Sequence, residues 1–215
     1  MTRVLVAVEG EVTMRAAQSL AVHSGIDGVA VLAPAKSNHF PTTDTVEGWD
    51  LVMGSERAVG AGRKHGVPVA VTGAVDAHAG VSLGSPVGLA LALAVGVEGI
   101  ETLAVAVPGE PGGDLPVVFP SPIDSRASVA ERFDGHEVRV ARGDGPLAAV
   151  MVLGAERHRV VLDDHSFLAG IALAAAAVVA LEVEPATATP AWSHSEVYLR
   201  AAVEMGLVIG ERTPS

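Results

Sequence analysis

Residues 3–25, RVLVAVEGEVTMRAAQSLAVHSG, decide the fold of this chain. The segment opens with a Val-rich run of strand length, turns at Glu9 and Gly10, and continues with helix-forming residues. This order predicts a strand, a turn and a helix, which together open a parallel sheet with helical crossovers. In the same alternation, three further strands are predicted at 28–32, 49–53 and 67–72, and a helix is predicted at 56–65.

The pattern changes after Gly73. A helix is predicted from Ser85 to about Val95, a strand at 102–107 and a second helix at 125–133. Three consecutive strand-like runs from residue 137 predict an antiparallel meander, and an apolar helix and a last helix follow at 167–181 and 193–205. We therefore predict an α/β fold with a Rossmann-like unit, 1–76, and a mixed α/β part that contains the antiparallel meander, 77–215.

The composition limits what the chain binds. It has 215 residues, 49% of them hydrophobic, with 25 acids against 14 bases and a net charge of -11. This content is typical of a globular protein, and the acidic balance with only 3% aromatic residues argues against a nucleic-acid partner. The absence of cysteine excludes thiol catalysis, cysteine-ligated zinc and iron–sulfur clusters.

Apolar segments bear on the membrane and on assembly. The longest one, 167–181, has 15 residues, fewer than the roughly 18 of a membrane span, and predicts a buried helix. The opening residues show no signal-peptide pattern, so we expect a cytoplasmic protein without a membrane partner. This helix and the predicted helix at 87–95 are apolar on all sides, so every side of each helix must be shielded from water. A partner subunit would supply part of this cover, and we therefore expect a homodimer.

The first turn is the candidate cofactor site, because a strand, a turn and a helix N-terminus together hold a phosphate. Aligned with G-x-G-x-x-G, it keeps the middle glycine, Gly10, with Val8 and Thr13 at the other two positions. Glu9 and Glu11 add negative charge, and the nearest bases are Arg3 and Arg15. We predict that the turn contributes Gly10, Val12 and Thr13 to a cofactor site and that Lys36 binds a 2′-phosphate. Residues that follow the third and fourth predicted strands complete the site: Ser55, Thr72 and Gly73.

Two histidines are candidates for proton transfer. His165 follows Asp164 where a strand meets the apolar helix, and a neighbouring carboxylate is a common means of orienting an imidazole. The alternative is that Asp164 or Ser166 caps the helix and His165 is exposed. His78 lies in the loop after the fourth strand, where a solvated side chain is the alternative. No histidine pair has the helical spacing of a zinc site, so we expect no metal.

Four phrases resemble NAD(P)-dependent reductases of the dihydrodipicolinate reductase, aspartate dehydrogenase and homoserine dehydrogenase type. They are RVLVAVEGEV, GVPVAVTG, LGSPVGLALALA and RVVLDDHSFLAGIALAAAAV. The resemblance implies that the Rossmann-like unit, 1–76, binds the nucleotide and that the mixed α/β part, 77–215, carries substrate and dimer contacts. The paired-histidine and lysine motif of dihydrodipicolinate reductases has no counterpart here, since the nearest stretch offers His78 without a lysine.

The resulting prediction is an NAD(P)-dependent oxidoreductase that acts on a small amino-acid-derived substrate. The proton would be handled by Asp164, His165 or His78. The alternative is a non-catalytic Rossmann-like protein, a small-ligand-binding or regulatory dimer that has lost the cofactor. The incomplete glycine turn favours this alternative, and binding of nicotinamide nucleotides separates the two.

Overall fold

The structure is a computed structural model of the chain. It describes residues 1–54, 56–67, 69–71, 86–108, 127–133, 136–143, 148–162, 164–182 and 194–211. The predicted boundary between the two parts, at residues 76 and 77, lies outside the described residues.

The first sheet is parallel and has five strands in the order β3-β2-β1-β4-β5. Its strands are β1 (Arg3–Val6), β2 (Gly28–Leu32), β3 (Thr42–Thr43), β4 (Leu51–Gly54) and β5 (Val69–Val71). The helices α1 (Glu11–Val22) and α2 (Glu56–His65) follow β1 and β4. The predicted α/β class and the Rossmann-like opening unit are therefore confirmed, and a short strand that was not predicted, β3, is added at the edge of the sheet.

Strand β1 lies at the centre of this sheet and is buried on both faces. Val4 and Val6 belong to a large core that also contains buried residues of α1, while Leu5 faces a smaller core with Val52. A strand that is covered on both faces needs an unbroken apolar run, which is why the opening segment shows no alternation with polar residues.

The second sheet has six strands in the order β11-β10-β9-β6-β8-β7. They are β6 (Thr102–Pro108), β7 (Ala127–Phe133), β8 (His136–Gly143), β9 (Ala148–Leu153), β10 (Arg157–Leu162) and β11 (Gly210–Glu211). Strands β6, β9, β10 and β11 form an antiparallel series, whereas β6 and β8 are parallel. The predicted antiparallel part is present, but β6 separates the first of the three predicted runs from the other two.

The predicted helix at 125–133 is wrong, because residues 127–133 form β7. This segment pairs with β8 in antiparallel register, and the register shifts between Val129 and Glu131. Helix propensity is a weak preference, and pairing with a neighbouring strand overrides it here.

Three helices join the sheets. They are α3 (Pro86–Ala94), α4 (His165–Glu182) and α5 (Ser195–Glu204). Buried residues of α1, α3, α4 and α5 share one continuous core with residues of both sheets. Within the described part of the chain, α4 is the one helix long and apolar enough to cross a membrane, and 67% of that stretch is buried inside the fold. The prediction of a buried helix at 167–181 is confirmed.

Candidate functional site

The strand order reverses direction at the carboxyl ends of β1 and β4. Strand β1 pairs with β2 on one side and with β4 on the other, so the chain leaves this point in opposite directions. Such a reversal in a parallel sheet is where ligands bind. The N–H of Ala7 donates to the carbonyl of Met53 at 2.7 Å, which carries the pairing up to the first turn.

Thr13 organises the first turn from within α1. Its buried Oγ1 accepts hydrogen bonds from the N–H groups of Glu9 at 3.0 Å and Gly10 at 3.2 Å, and donates to the carbonyl of Gly10 at 2.9 Å. Two backbone donors of the turn are thus occupied by a side chain of the protein. Thr13 stands where the G-x-G-x-x-G pattern has its third glycine, so the departure from the pattern has a structural role.

The first turn of α1 supplies other donors. The first intrahelical hydrogen bond runs from the N–H of Met14 to the carbonyl of Gly10 at 3.2 Å. The N–H groups of Glu11, Val12 and Thr13 precede this bond in the chain. These groups have no carbonyl partner within a helix and carry its positive dipole end. Gly10 is exposed, and a Cβ at this position would meet nothing within 4 Å. The turn therefore offers both donors and space to an anion.

Arg15 balances part of the acidic charge beside this turn. Its Nη2 lies 3.7 Å from the Glu11 carboxylate, one helical turn back along α1, and 3.2 Å from Oδ2 of Asp164. Arg3 instead donates to the carbonyl of Gly48 and lies over the ring of Trp49. Of the two bases near the glutamates in sequence, Arg15 is the one that contacts a glutamate of the turn.

Asp164 caps α4. Its Oδ1 accepts the N–H of Phe167 at 3.0 Å, the usual bond of an N-cap carboxylate, and its Oδ2 pairs with Arg15. Within the described residues these are the side-chain bonds of Asp164, and His165 is not among its partners. Asp164 thus caps α4, as the alternative predicted, and also connects α4 to α1, whereas His165 is half-buried and not exposed.

Helices α1 and α4 run side by side in the same direction. Near their amino ends, a Cβ on Gly170 would lie 2.6 Å from Cβ of Arg15, so the two backbones touch there. At their carboxyl ends, His23, just after α1, and Val178 of α4 line one cleft. The two amino ends therefore meet beside the first turn, and His165, the first residue of α4, lies at the same edge of the fold.

The imidazole of His165 is half-buried. Burial lowers its pKa below the ordinary value of 6.5, and the nearby Asp164 carboxylate acts in the opposite direction with a smaller effect. The neutral form consequently prevails at neutral pH, in which the imidazole accepts a proton more readily than it donates one.

The remaining predicted residues fall into two groups. Lys36 is exposed in the loop after β2, the neighbour of β1 in the sheet, and Oγ of the adjacent Ser37 accepts the N–H groups of His39 and Phe40. The others lie outside the described residues: Ser55, Thr72, Gly73 and His78. Within the described ranges, no group of three or more histidines and acids is arranged to hold a metal.

Arg15 connects the two helix ends, although it was not among the predicted site residues. The i,i+4 spacing of Glu11 and Arg15 was the available signal. The contact with Asp164 spans 149 positions and had no local signal.

The chain matches no protein-family model and no curated protein. Among solved structures it is similar to a dipicolinate-bound dihydrodipicolinate reductase from Paenisporosarcina sp. TG-14, at 12% identity and a TM-score of 0.40 over 80% of this chain and 92% of that one. It is also similar to an assigned myo-inositol dehydrogenase from Sinorhizobium meliloti 1021, at 10% identity and a TM-score of 0.47 over 97% and 99% of the two chains. The Rossmann-like assignment rests on the strand order of this chain.

Proposed function

We propose that this protein is an NADP(H)-dependent oxidoreductase that acts on a small amino-acid-derived substrate at the carboxyl edge of the parallel sheet. The observation that carries the proposal is the meeting of the amino ends of α1 and α4 beside the carboxyl ends of β1 and β4, where the strand order reverses. Helix amino ends at such a reversal attract the phosphates of a nucleotide.

The residues of the first turn fit a dinucleotide, although their donors differ from those of the G-x-G-x-x-G pattern. Thr13 occupies two donors of the turn, and the N–H groups of Glu11 and Val12 would hold a phosphate above the open space at Gly10. Arg15 draws the Glu11 carboxylate along the helix. Lys36 would contact a 2′-phosphate, since the loop that carries it continues from the strand beside β1. We therefore propose NADP(H) in preference to NAD(H).

A bound nicotinamide would supply hydride transfer. The half-buried, neutral His165 would accept a substrate proton, while Asp164 acts through the position of α4 because both of its oxygens are engaged. Asp164 is thus proposed as a positioning residue and His165 as the catalytic base. His78, outside the described residues, stays a prediction.

The dimer also stays a prediction, with less support than before. Helix α4 and the described residues of α3 are covered by elements of the same chain, so their apolar surfaces do not require a partner subunit. Light scattering at micromolar concentration measures the mass directly.

The test is a calorimetric titration with NADPH, NADP⁺, NADH and NAD⁺. Lys36 and Lys64 are the two lysines of the chain, and Lys64 is exposed near the far end of α2, so Lys64→Ala is a matched control. We expect Lys36→Ala to weaken NADPH binding about tenfold, by loss of a charged phosphate contact, and to leave NADH unchanged. Absence of binding by all four nucleotides at millimolar concentration would refute the proposal and favour the non-catalytic alternative.

A further inference from the structure

A cleft opens at the opposite, amino edge of the parallel sheet, and we call it the amino-edge cleft. It lies between the segments that lead into β1, β2 and β4 and the last turn of α4. Its volume, about 240 Å³, is below the roughly 300–1,000 Å³ of sites for drug-sized ligands. A molecule of on the order of eight non-hydrogen atoms, comparable to eight waters, would fill it.

The walls of the amino-edge cleft are of two kinds. Ile26, Val178 and Leu181 provide apolar surface. His23 is buried and locked in place, because Nδ1 accepts the N–H of Gly25 at 3.1 Å and Nε2 lies 3.1 Å from the Glu204 carboxylate. A ligand would therefore meet a rigid, largely apolar surface on this side.

The rim of the cleft is negative. Glu182 is already compensated by Arg200 at 2.8 Å. Asp50 has one oxygen held by the N–H of Arg3 at 2.8 Å, and among the described residues it has no ion-pair partner. Among the described residues its other oxygen has no hydrogen-bond partner and can accept a donor from the cleft, while the Arg3 contact fixes the orientation of the carboxylate.

The helices add to this negative potential. Both α1 and α4 direct their carboxyl ends toward the cleft, and neither has a basic residue in its last turn. The carboxyl end of a helix carries partial negative charge and favours cations. An anion at this place would face Asp50 and two helix carboxyl ends, so the cleft favours a cation over an anion.

We propose that the amino-edge cleft binds a small organic cation, a primary ammonium on a short apolar body, with the ammonium on Asp50 and the apolar body against Ile26, Val178 and Leu181. The cavity, its apolar wall and an uncompensated, oriented carboxylate together specify this chemistry. The site is separate from the proposed nucleotide site and does not depend on it.

The experiment is a calorimetric titration of the full chain with phenethylammonium chloride, with phenethyl alcohol and phenylacetate as neutral and anionic analogues. We expect saturable binding of the ammonium and no binding of phenylacetate. Asp50→Asn keeps an oxygen for the Arg3 N–H and should weaken ammonium binding roughly 5- to 10-fold. Asp44→Asn removes one acid at an exposed position outside the cleft and should leave binding unchanged.

Three results would overturn the proposal. One is the absence of saturable ammonium binding by a folded protein. Another is equal binding of the alcohol, which would show that the carboxylate has no role. The third is an equal loss with Asp50→Asn and Asp44→Asn, which would show general attraction to an acidic protein. The unfolding temperature of each variant distinguishes these results from misfolding.

Discussion

The two ends of the α1–α4 pair differ in charge and in the chemistry they offer. At the amino ends, the N–H groups of the first turn of α1 lie next to the open space at Gly10, and Arg15 offsets part of the charge of Glu11 and Asp164. At the carboxyl ends, Asp50 lies on the rim of the amino-edge cleft. Two parallel helices align their dipoles, so the same packing favours an anion at one edge of the sheet and a cation at the other.

The close packing of α1 against α4 positions the residues at both ends of this helix pair, and it depends on Gly170. A Cβ there would lie 2.6 Å from Cβ of Arg15 and 3.0 Å from the backbone nitrogen of Ala16. Gly170→Ala should force the helices apart and lower the free energy of unfolding by about 1–3 kcal/mol, in spite of the better helix propensity of alanine. Chemical denaturation measures this change, and ligand titrations should show weaker binding at both ends.

Gly60 provides the matched control. It lies in α2, and a Cβ there would meet nothing within 4 Å. Gly60→Ala should therefore stabilise the protein by about 0.5–1 kcal/mol. Equal effects of the two substitutions would contradict the account of helix packing.

Thr13→Val should affect the amino ends alone. It removes the Oγ1 that accepts two N–H groups and donates to one carbonyl, at nearly constant volume. We expect a loss of about 1–2 kcal/mol in the free energy of unfolding and weaker NADPH binding, with unchanged binding of phenethylammonium. Thr13→Ser retains the hydroxyl and should recover most of the nucleotide affinity. A Thr13→Val protein with full NADPH affinity would show that the order of the turn is irrelevant to the site.

The Arg15–Asp164 pair should contribute less. The two side chains are 38% and 42% exposed, so solvent screens their attraction, and a double-mutant cycle of Arg15→Met and Asp164→Asn should give a coupling of about 0.2–1 kcal/mol. Asp164→Ala also removes the cap of α4 and should cost about 1 kcal/mol more than Asp164→Asn. Equal stabilities of the Ala and Asn variants would mean that the cap has no energetic role.

The smallest expected effect is a pH dependence from His165. Its pKa is lowered in the folded state, so the unfolded chain takes up the proton first as the pH falls. The contribution of His165 to stability is complete above its unfolded pKa of about 6.5, falls as the pH decreases through that value, and levels off below the lower folded pKa. His165→Gln should flatten the stability curve in this window. A curve identical to that of the parent chain would show that this histidine has no shifted pKa.

Local sequence was enough to predict four of the five strands of the first sheet and the position of its turn, but not the two-residue strand β3. Buried parallel strands need continuous apolar runs, and β1 and β4 show them clearly. The second sheet was less predictable, because β7 has a helix-like composition and β6 inserts between strands that are closer in sequence. Such pairings depend on contacts between distant segments, which no local pattern records.

The candidate site also contains features that the sequence predicted and features that it did not. Gly10 and Thr13 were predicted from the turn, although the hydrogen bonds of Thr13 were not foreseen. The cap role of Asp164 was available as an alternative because a short acid before an apolar helix is a known cap signal. The contact with Arg15 and the amino-edge cleft arise only from helix packing, so a sequence pattern could not indicate them.

The most direct test of the central claim is mapping of NADPH binding by heteronuclear NMR on the uniformly labelled protein. The account predicts that the backbone amide signals of Glu11 and Val12 shift on addition of NADPH, together with that of Lys36. The amide signals of Gly25 and Ile26, in the amino-edge cleft, should stay in place. Shifts confined to the amino-edge cleft, or no shifts at millimolar NADPH, would contradict the assignment of the nucleotide site to the amino ends of α1 and α4.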